Sequence, residues 1–243
     1  MMSAAASFKR LKRNLRWRFF RDIPAFVIVL EKDDERRLHI RRNVLPKLPN
    51  CDIVSATNAS KADIEDFLGK EGIVVHENYS RVTLAKLACT ISHIRAWKAI
   101  VAADLMYAIV LEDDVAIRDG FRPFIRKLQK QLPINFDLAH LYVHHDRSEW
   151  LLHTADTERA YVSYIPTWGR SAYLLSRTGA KKLLSDFRTI TKHGDRQISD
   201  MARRGKLLVY CAAESYVDNL GQITPQYNGE RFRSNIWPAE KRN

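Results

Sequence analysis

The chain has 243 residues, 46% hydrophobic and 28% charged with only 9 glycines and 8 prolines, a balance that excludes a disordered or fibrous protein and allows a substantial core. Its 40 basic residues against 28 acidic ones leave a net charge of +12, and Cys51, Cys89 and Cys211, odd in number and far apart, argue against a disulfide framework and for reduced thiols in a reducing compartment. No apolar run approaches the roughly 20 residues that a membrane-spanning helix needs, and the N-terminus lacks the apolar core of a signal peptide, so a cytoplasmic protein is expected.

Residues 1–21 carry Lys9, Arg10, Lys12, Arg13, Arg16, Arg18 and Arg21 and no acid. Phe8, Leu11, Leu15 and Phe19 fall on one stripe of a helix, with Trp17 and Phe20 beside it. A basic amphipathic helix of this kind suits an anionic membrane surface, placing the protein peripherally at the inner face of the cell membrane. The same pattern also fits a helix packed on the domain with a solvated basic face. Interleaved aromatic and basic residues alone are a weak sign of nucleic-acid binding, and no nucleic-acid partner is expected. Residues 22–243 read as one domain.

From residue 25 apolar runs alternate with helical patterns. "AFVIVL" (25–30) is a buried strand, "CDIVSA" (51–56) a second, and the following helix starts at Ser60 and stops near Gly69. Residues 83–105 form a long helix that runs into the strand "YAIVL" (107–111), and "FRPFIRKLQKQL" (121–132) is a helix. "FDLAHLYV" (136–143), "YVSYIP" (161–166) and "SAYLLS" (171–176) are strands, followed by two helices, "RTGAKKLLSDF" and "DRQISDMARRG", and a late strand, "KLLVYCAA" (206–213). This alternation predicts an α/β sandwich with a mostly parallel central sheet, whose ligands bind at the carboxyl ends of the strands.

There the strand at 107–111 meets Glu112, Asp113 and Asp114, three adjacent carboxylates that repel one another. Paired carboxylates at a strand end can hold Mg²⁺ or Mn²⁺ and leave positions for phosphate oxygens. By spacing alone the triplet equally fits a loop of solvated acids, or a helix start capped by Asp119. The chain has no glycine-rich phosphate loop, which argues against a P-loop nucleotidase or a dinucleotide oxidoreductase.

The segment "LACTISHIRAWKAIVAADLMYAIVLEDDVAI" carries Cys89, Ser92, His93, Trp97, Lys98 and the acidic triplet in order, and it resembles the signature of glycosyltransferase family 25. "VIVLEKDDERR" (27–37), "WGRSAYLLSRTGAKKLL" (168–184) and "HGDRQISD" (193–200) extend the resemblance across residues 25–215. Two features depart from the family's pattern: His193-Gly194 stands where Pro-Val is usual before Asp195, and Trp168 enlarges a turn that is often Gly-Thr.

The resemblance implies a GT-A-like fold, a UDP-hexose donor, most often UDP-galactose, a Mn²⁺ or Mg²⁺ cofactor, and inverting transfer to a lipooligosaccharide or other glycan acceptor. UDP-glucose or a UDP-N-acetylhexosamine fits as donor too, and so does a non-catalytic carbohydrate- or membrane-binding role. Asp114 is then expected at the metal with Asp113, while Glu112 and Asp113 support it or bind the ribose. Arg36 or Arg37 is placed near the nucleotide. His93 hydrogen-bonds the nucleotide or orients an acid of the triplet, and Lys98 is either a diphosphate contact or a solvated helix lysine. Asp195, at a helix start, is the general base, with Asp146 and Glu214 as the next candidates. Trp168 and His145 are placed at the acceptor; His144 and His145, adjacent on a strand, point to opposite faces and do not chelate together.

Overall fold

The computed structural model describes residues 23–79, 83–142, 159–163 and 169–221. Its centre is a seven-stranded sheet in the order β2-β1-β4-β8-β6-β10-β7. These strands are β1 (Ala25–Val29), β2 (Cys51–Ser55), β4 (Tyr107–Glu112), β6 (Leu138–His140), β7 (Tyr161–Val162), β8 (Ala172–Ser176) and β10 (Val209–Ala212). Strands β2, β1 and β4 are mutually parallel, β8 runs antiparallel to both β4 and β6, and β10 is parallel to β6 and antiparallel to β7. Five of the seven therefore share one direction, and the sheet is mostly parallel but mixed.

Alternation along the strands builds two cores, since successive side chains point to opposite faces. Phe26 and Ile28 of β1 and Val110 of β4 face one side. There they meet Ile64 and Phe67 of α2 (Lys61–Glu71), Ile94 and Trp97 of α3 (Leu84–Ala102), Leu183 of α5 (Arg177–Asp186) and Ile198 of α6 (Gly194–Arg203). Ala25, Val27, Val29, Ile109 and Leu111 face the other side. They pack on Ile40 and Val44, which follow the short α1 (Asp34–His39), and on Phe121, Phe124 and Leu128 of α4 (Phe121–Gln131). A strand buried on both faces has to be apolar throughout, which is why "AFVIV" shows no alternation.

The helix starts follow capping chemistry. Ser60 and Thr83 accept from the backbone N–H three residues on, as N-caps of α2 and α3. Helix α2 passes through Gly69 and ends at Gly72, which adopts the left-handed φ of 60°. That conformation, rather than the presence of a glycine, stops the helix.

The reversed strand β8 positions the site. Because it runs against β4, its N-terminal end lies beside the C-terminal end of β4: Leu111 pairs with Ala172, and the Glu112 N–H donates to the Ser171 carbonyl at 2.8 Å. Gly169, Arg170 and Ser171 are thereby delivered to the acidic triplet. After the triplet the chain turns into β5 (Val115–Ile117), which pairs antiparallel with β11 (Val217–Asn219) and sets Asn219 opposite Val115. A further parallel pair joins β3 (Val74–Val75) to β9 (Thr189–Ile190). Among the described residues no helix is long and apolar enough to cross a membrane.

Candidate active site

Each acid of the triplet has a different partner. Glu112 accepts from Nε2 of His93 at 2.9 Å and from the Cys89 thiol at 3.5 Å. Asp113 is ion-paired with the buried Arg36 guanidinium, which also reaches Asp33 at 3.5 Å. Asp114 accepts from the Asn219 amide at 3.2 Å, and among the described residues it has no cation within ion-pair distance.

His93 is fully buried with both ring nitrogens engaged, Nδ1 lying 2.8 Å from the Tyr173 hydroxyl. Trp97 Nε1, which can only donate, gives its hydrogen to the same Tyr173 oxygen at 2.8 Å. The Tyr173 hydroxyl hydrogen is then free for Nδ1, so Nε2 carries the ring proton and donates to Glu112. Of the two roles expected for His93, this geometry matches the orienting of an acid.

These partners set the protonation states. Burial, then the Arg170 charge, pushes His93 down, so the imidazole is neutral at pH 7. Burial pushes Glu112 up, but the hydrogen bond from His93, the Arg170 guanidinium and the hydrogen bond from Cys89 outweigh it and hold the carboxyl below its usual range. Asp113 lies above its usual range, since burial exceeds the pull of Arg36. Asp114 is raised to about 7 by burial and by the charges of Glu112 and Asp113.

Cys89, His93 and Glu112 present ligand atoms within 4.8 Å of one another, close enough to share an ion. Their existing bonds oppose it. The thiol is raised by burial and by Glu112, and Arg170 Nη2 stands 3.6 Å from its sulfur, so a metal would displace a proton there beside a fixed cation. Asp114 and Asp113 offer the hard oxygen donors that Mn²⁺ or Mg²⁺ prefers.

Asp195 lies in the first turn of α6, half-buried, after His193 as N-cap. Its Oδ2 accepts from the Gly169 N–H at 3.3 Å and its Oδ1 from the Arg196 N–H at 3.2 Å. Gly169 precedes Arg170, whose buried guanidinium feels both Asp195 and Glu112 electrostatically, so the base candidate and the triplet belong to one neighbourhood.

The other expected residues disperse. Arg37 is more exposed and donates to the Glu31 carbonyl at 3.0 Å. Lys98 pairs with Glu71, and Asp119 pairs with Lys47 while Gly120 takes the N-cap position of α4. Glu214 is exposed and accepts from the Tyr216 hydroxyl at 3.0 Å. Trp168, His144, His145, Asp146 and residues 1–21 lie outside the described residues. Among the described residues Cys51, Cys89 and Cys211 take part in no disulfide. Arg170, Asn219, Tyr173, Tyr79 and His140 were not singled out by the sequence reading. Arg170 stands inside the quoted "WGRSAYLLS", but only the reversal of β8 brings it to Glu112.

The profile of glycosyltransferase family 25 (LPS biosynthesis protein) matches residues 22–198. The chain belongs to glycosyltransferase family 25. A mouse relative, described as inactive glycosyltransferase 25 family member 3, is 28% identical over 192 residues, covering 76% of this chain and 32% of its own length. A rat relative, described as a probable inactive glycosyltransferase 25 family member 3, is 28% identical over 168 residues, covering 66% of this chain and 29% of its own. The chain thus spans about a third of the length of the curated relatives it matches. Among solved structures it is similar to apo mouse xyloside xylosyltransferase 1, with a TM-score of 0.34 and 11% identity over 75% of this chain and 69% of that one.

Proposed function

We propose that this family-25 chain is a metal-dependent, inverting hexosyltransferase that moves galactose from UDP-galactose to a glycan acceptor. The observation that carries the reading is the pairing of two acid sets at one sheet end. Asp114 is half-buried, raised to about 7 and, among the described residues, has no cation within ion-pair distance, whereas the Asp195 carboxylate accepts from the backbone amides of Gly169 and Arg196.

The chain's own residues divide the work. Arg36 fixes Asp113, and the Trp97–Tyr173–His93 chain fixes Glu112, so that the acids do not need to reorganise when a donor arrives. Asp114, with Asp113 beside it, would hold a divalent cation, which when bound would supply Lewis-acid stabilisation of the departing diphosphate. Asp195 takes the proton of the attacking acceptor hydroxyl. Arg37 and Glu112 stand as nucleotide contacts, Trp168 and His145 as acceptor contacts, and residues 1–21 as the anchor to an anionic membrane face.

A second reading, a non-catalytic carbohydrate-binding member, draws support from the relatives described as inactive. A panel of UDP-sugars incubated with Mn²⁺ separates the two, because donor hydrolysis needs no acceptor. Turnover of UDP-galactose above UDP-glucose and UDP-N-acetylhexosamines supports the proposal, another preferred donor revises the sugar, and UDP binding without any turnover favours the second reading.

A further inference from the structure

Three buried polar atoms near the first turn of α6 have no hydrogen-bond partner among the described residues: Nη1 of Arg170, the hydroxyl of Tyr79 and Nδ1 of His140. Their residues are 8%, 7% and 3% exposed. The Tyr79 ring stands edge-on to His193, the residue that opens α6, at 5.9 Å between centroids, and His140 pairs in register with Tyr173, three residues after Arg170. The one other such atom among the described residues, Oδ1 of Asp137, belongs to a carboxylate whose Oδ2 already pairs with Lys182.

Arg170 is the member that calls for a ligand. A buried guanidinium is costly unless a carboxylate or phosphate meets it directly. Its hydrogen bond among the described residues goes to the Cys89 sulfur at 3.6 Å. Glu112 and Asp195 act on it electrostatically, without an ion-pair contact. The guanidinium also rests against the first turn of α6, for a Cβ at Gly194 would stand 2.2 Å from Nη1. Helix N-termini carry partial positive charge, so this turn gives the guanidinium no compensation, and Asp195 and Glu112 supply it only from beyond contact distance. His193 adds no side-chain cap to that turn. A side chain at 194 would occupy the guanidinium's place, so Arg170 can lie there only because residue 194 is glycine.

We propose that Arg170, Tyr79, His140 and the first turn of α6 form a subsite for an oxyanion, a carboxylate or phosphate borne by the acceptor sugar. Arg170 Nη1 and the Tyr79 hydroxyl donate, and the neutral His140 ring can carry its hydrogen on Nδ1. A set rich in donors matches a group that only accepts, and the guanidinium fork suits a planar or tetrahedral oxyanion. A neutral hydroxyl would fill the hydrogen bonds and leave the charge unmet. The assignment to acceptor rather than donor rests on the proposed function, in which Asp195, bonded to the residue before Arg170, faces the incoming hydroxyl.

The test titrates the full chain with glucuronate, glucose 6-phosphate and glucose by calorimetry, and separately with UDP and Mn²⁺. Both anionic sugars are expected to bind at least tenfold more tightly than glucose. Arg170→Met should erase that preference with UDP affinity unchanged, and Arg170→Lys, which keeps the charge but loses the fork, should shrink it. Equal binding of the three sugars by the unaltered protein overturns the proposal, whatever the variants do. A fall in UDP affinity with Arg170→Met overturns it as well, because the anion is then the donor's diphosphate. Sugar binding needs no turnover, so a failure of Asp195 as base shows in kinetics and leaves this result standing.

Discussion

Nδ1 of His93 and the hydroxyl of Tyr173 lie 2.8 Å apart in the core, and that contact settles which ring nitrogen faces Glu112. Tyr173→Phe keeps the ring but leaves Trp97 Nε1 and His93 Nδ1 without a partner in a dry environment. Each orphaned group costs about 1–3 kcal/mol, so a loss of roughly 2–6 kcal/mol is expected. At about 2–4 °C per kcal/mol for a chain of this size, the melting temperature should fall by roughly 4–24 °C. Calorimetry checks it, and an unchanged melting point would mean that the relay is not formed.

Asp114 predicts a pH dependence with a definite sign. Its folded pKa of about 7 lies above the ordinary aspartate value of 3.8, so the native state holds the proton more tightly than the unfolded chain. The contribution is complete below pH 4 and is lost as pH rises through 7. Without divalent cations, stability should drop by about 2–4 kcal/mol from this group between pH 4 and pH 8. Mn²⁺ should restore more at pH 8 than at pH 5.5, where the ion competes with a proton. Asp114→Asn should flatten the pH curve and remove the Mn²⁺ effect, both read from melting temperatures. A Mn²⁺ gain that survives the substitution would move the ion to Cys89, His93 and Glu112.

Deleting residues 1–21 should release the protein from vesicles containing anionic lipid, since each basic residue near such a surface contributes about 1 kcal/mol. Sedimentation with vesicles at rising salt measures it. Equal binding by the truncated chain, or binding insensitive to salt, would leave the segment as a packed helix.

The sequence carried the local structure well and the long-range arrangement poorly, for physical reasons. An all-apolar run such as Ala25–Val29 and a helix start such as Ser60 are local signals, and both appear where expected. The direction of β8 is not local, because "AYLLS" reads the same in either sense, yet that direction puts Arg170 beside Glu112. Asn219 was equally invisible, since it reaches Asp114 through a pairing of two short strands far apart in sequence. The triplet announced itself through its charge. Whether its acids were solvated, paired or free depended on Arg36, His93 and Asn219, which only the fold assembles.

Asp195→Asn is expected to lower turnover by about two to four orders of magnitude, the usual range for removing a general acid or base. The amide keeps the side chain's size and can still accept from Gly169 N–H, so the first turn of α6 should hold. Donor affinity should stay within about twofold, because a base acts only as the hydroxyl attacks, and its loss appears in turnover rather than in ground-state binding. Single-turnover transfer from UDP-galactose, with UDP affinity measured alongside, separates the outcomes. Near-native transfer would move the base to Asp146 or Glu214. Loss of UDP affinity together with turnover would place Asp195 on the donor, and the division of labour between it and Asp114 would fail.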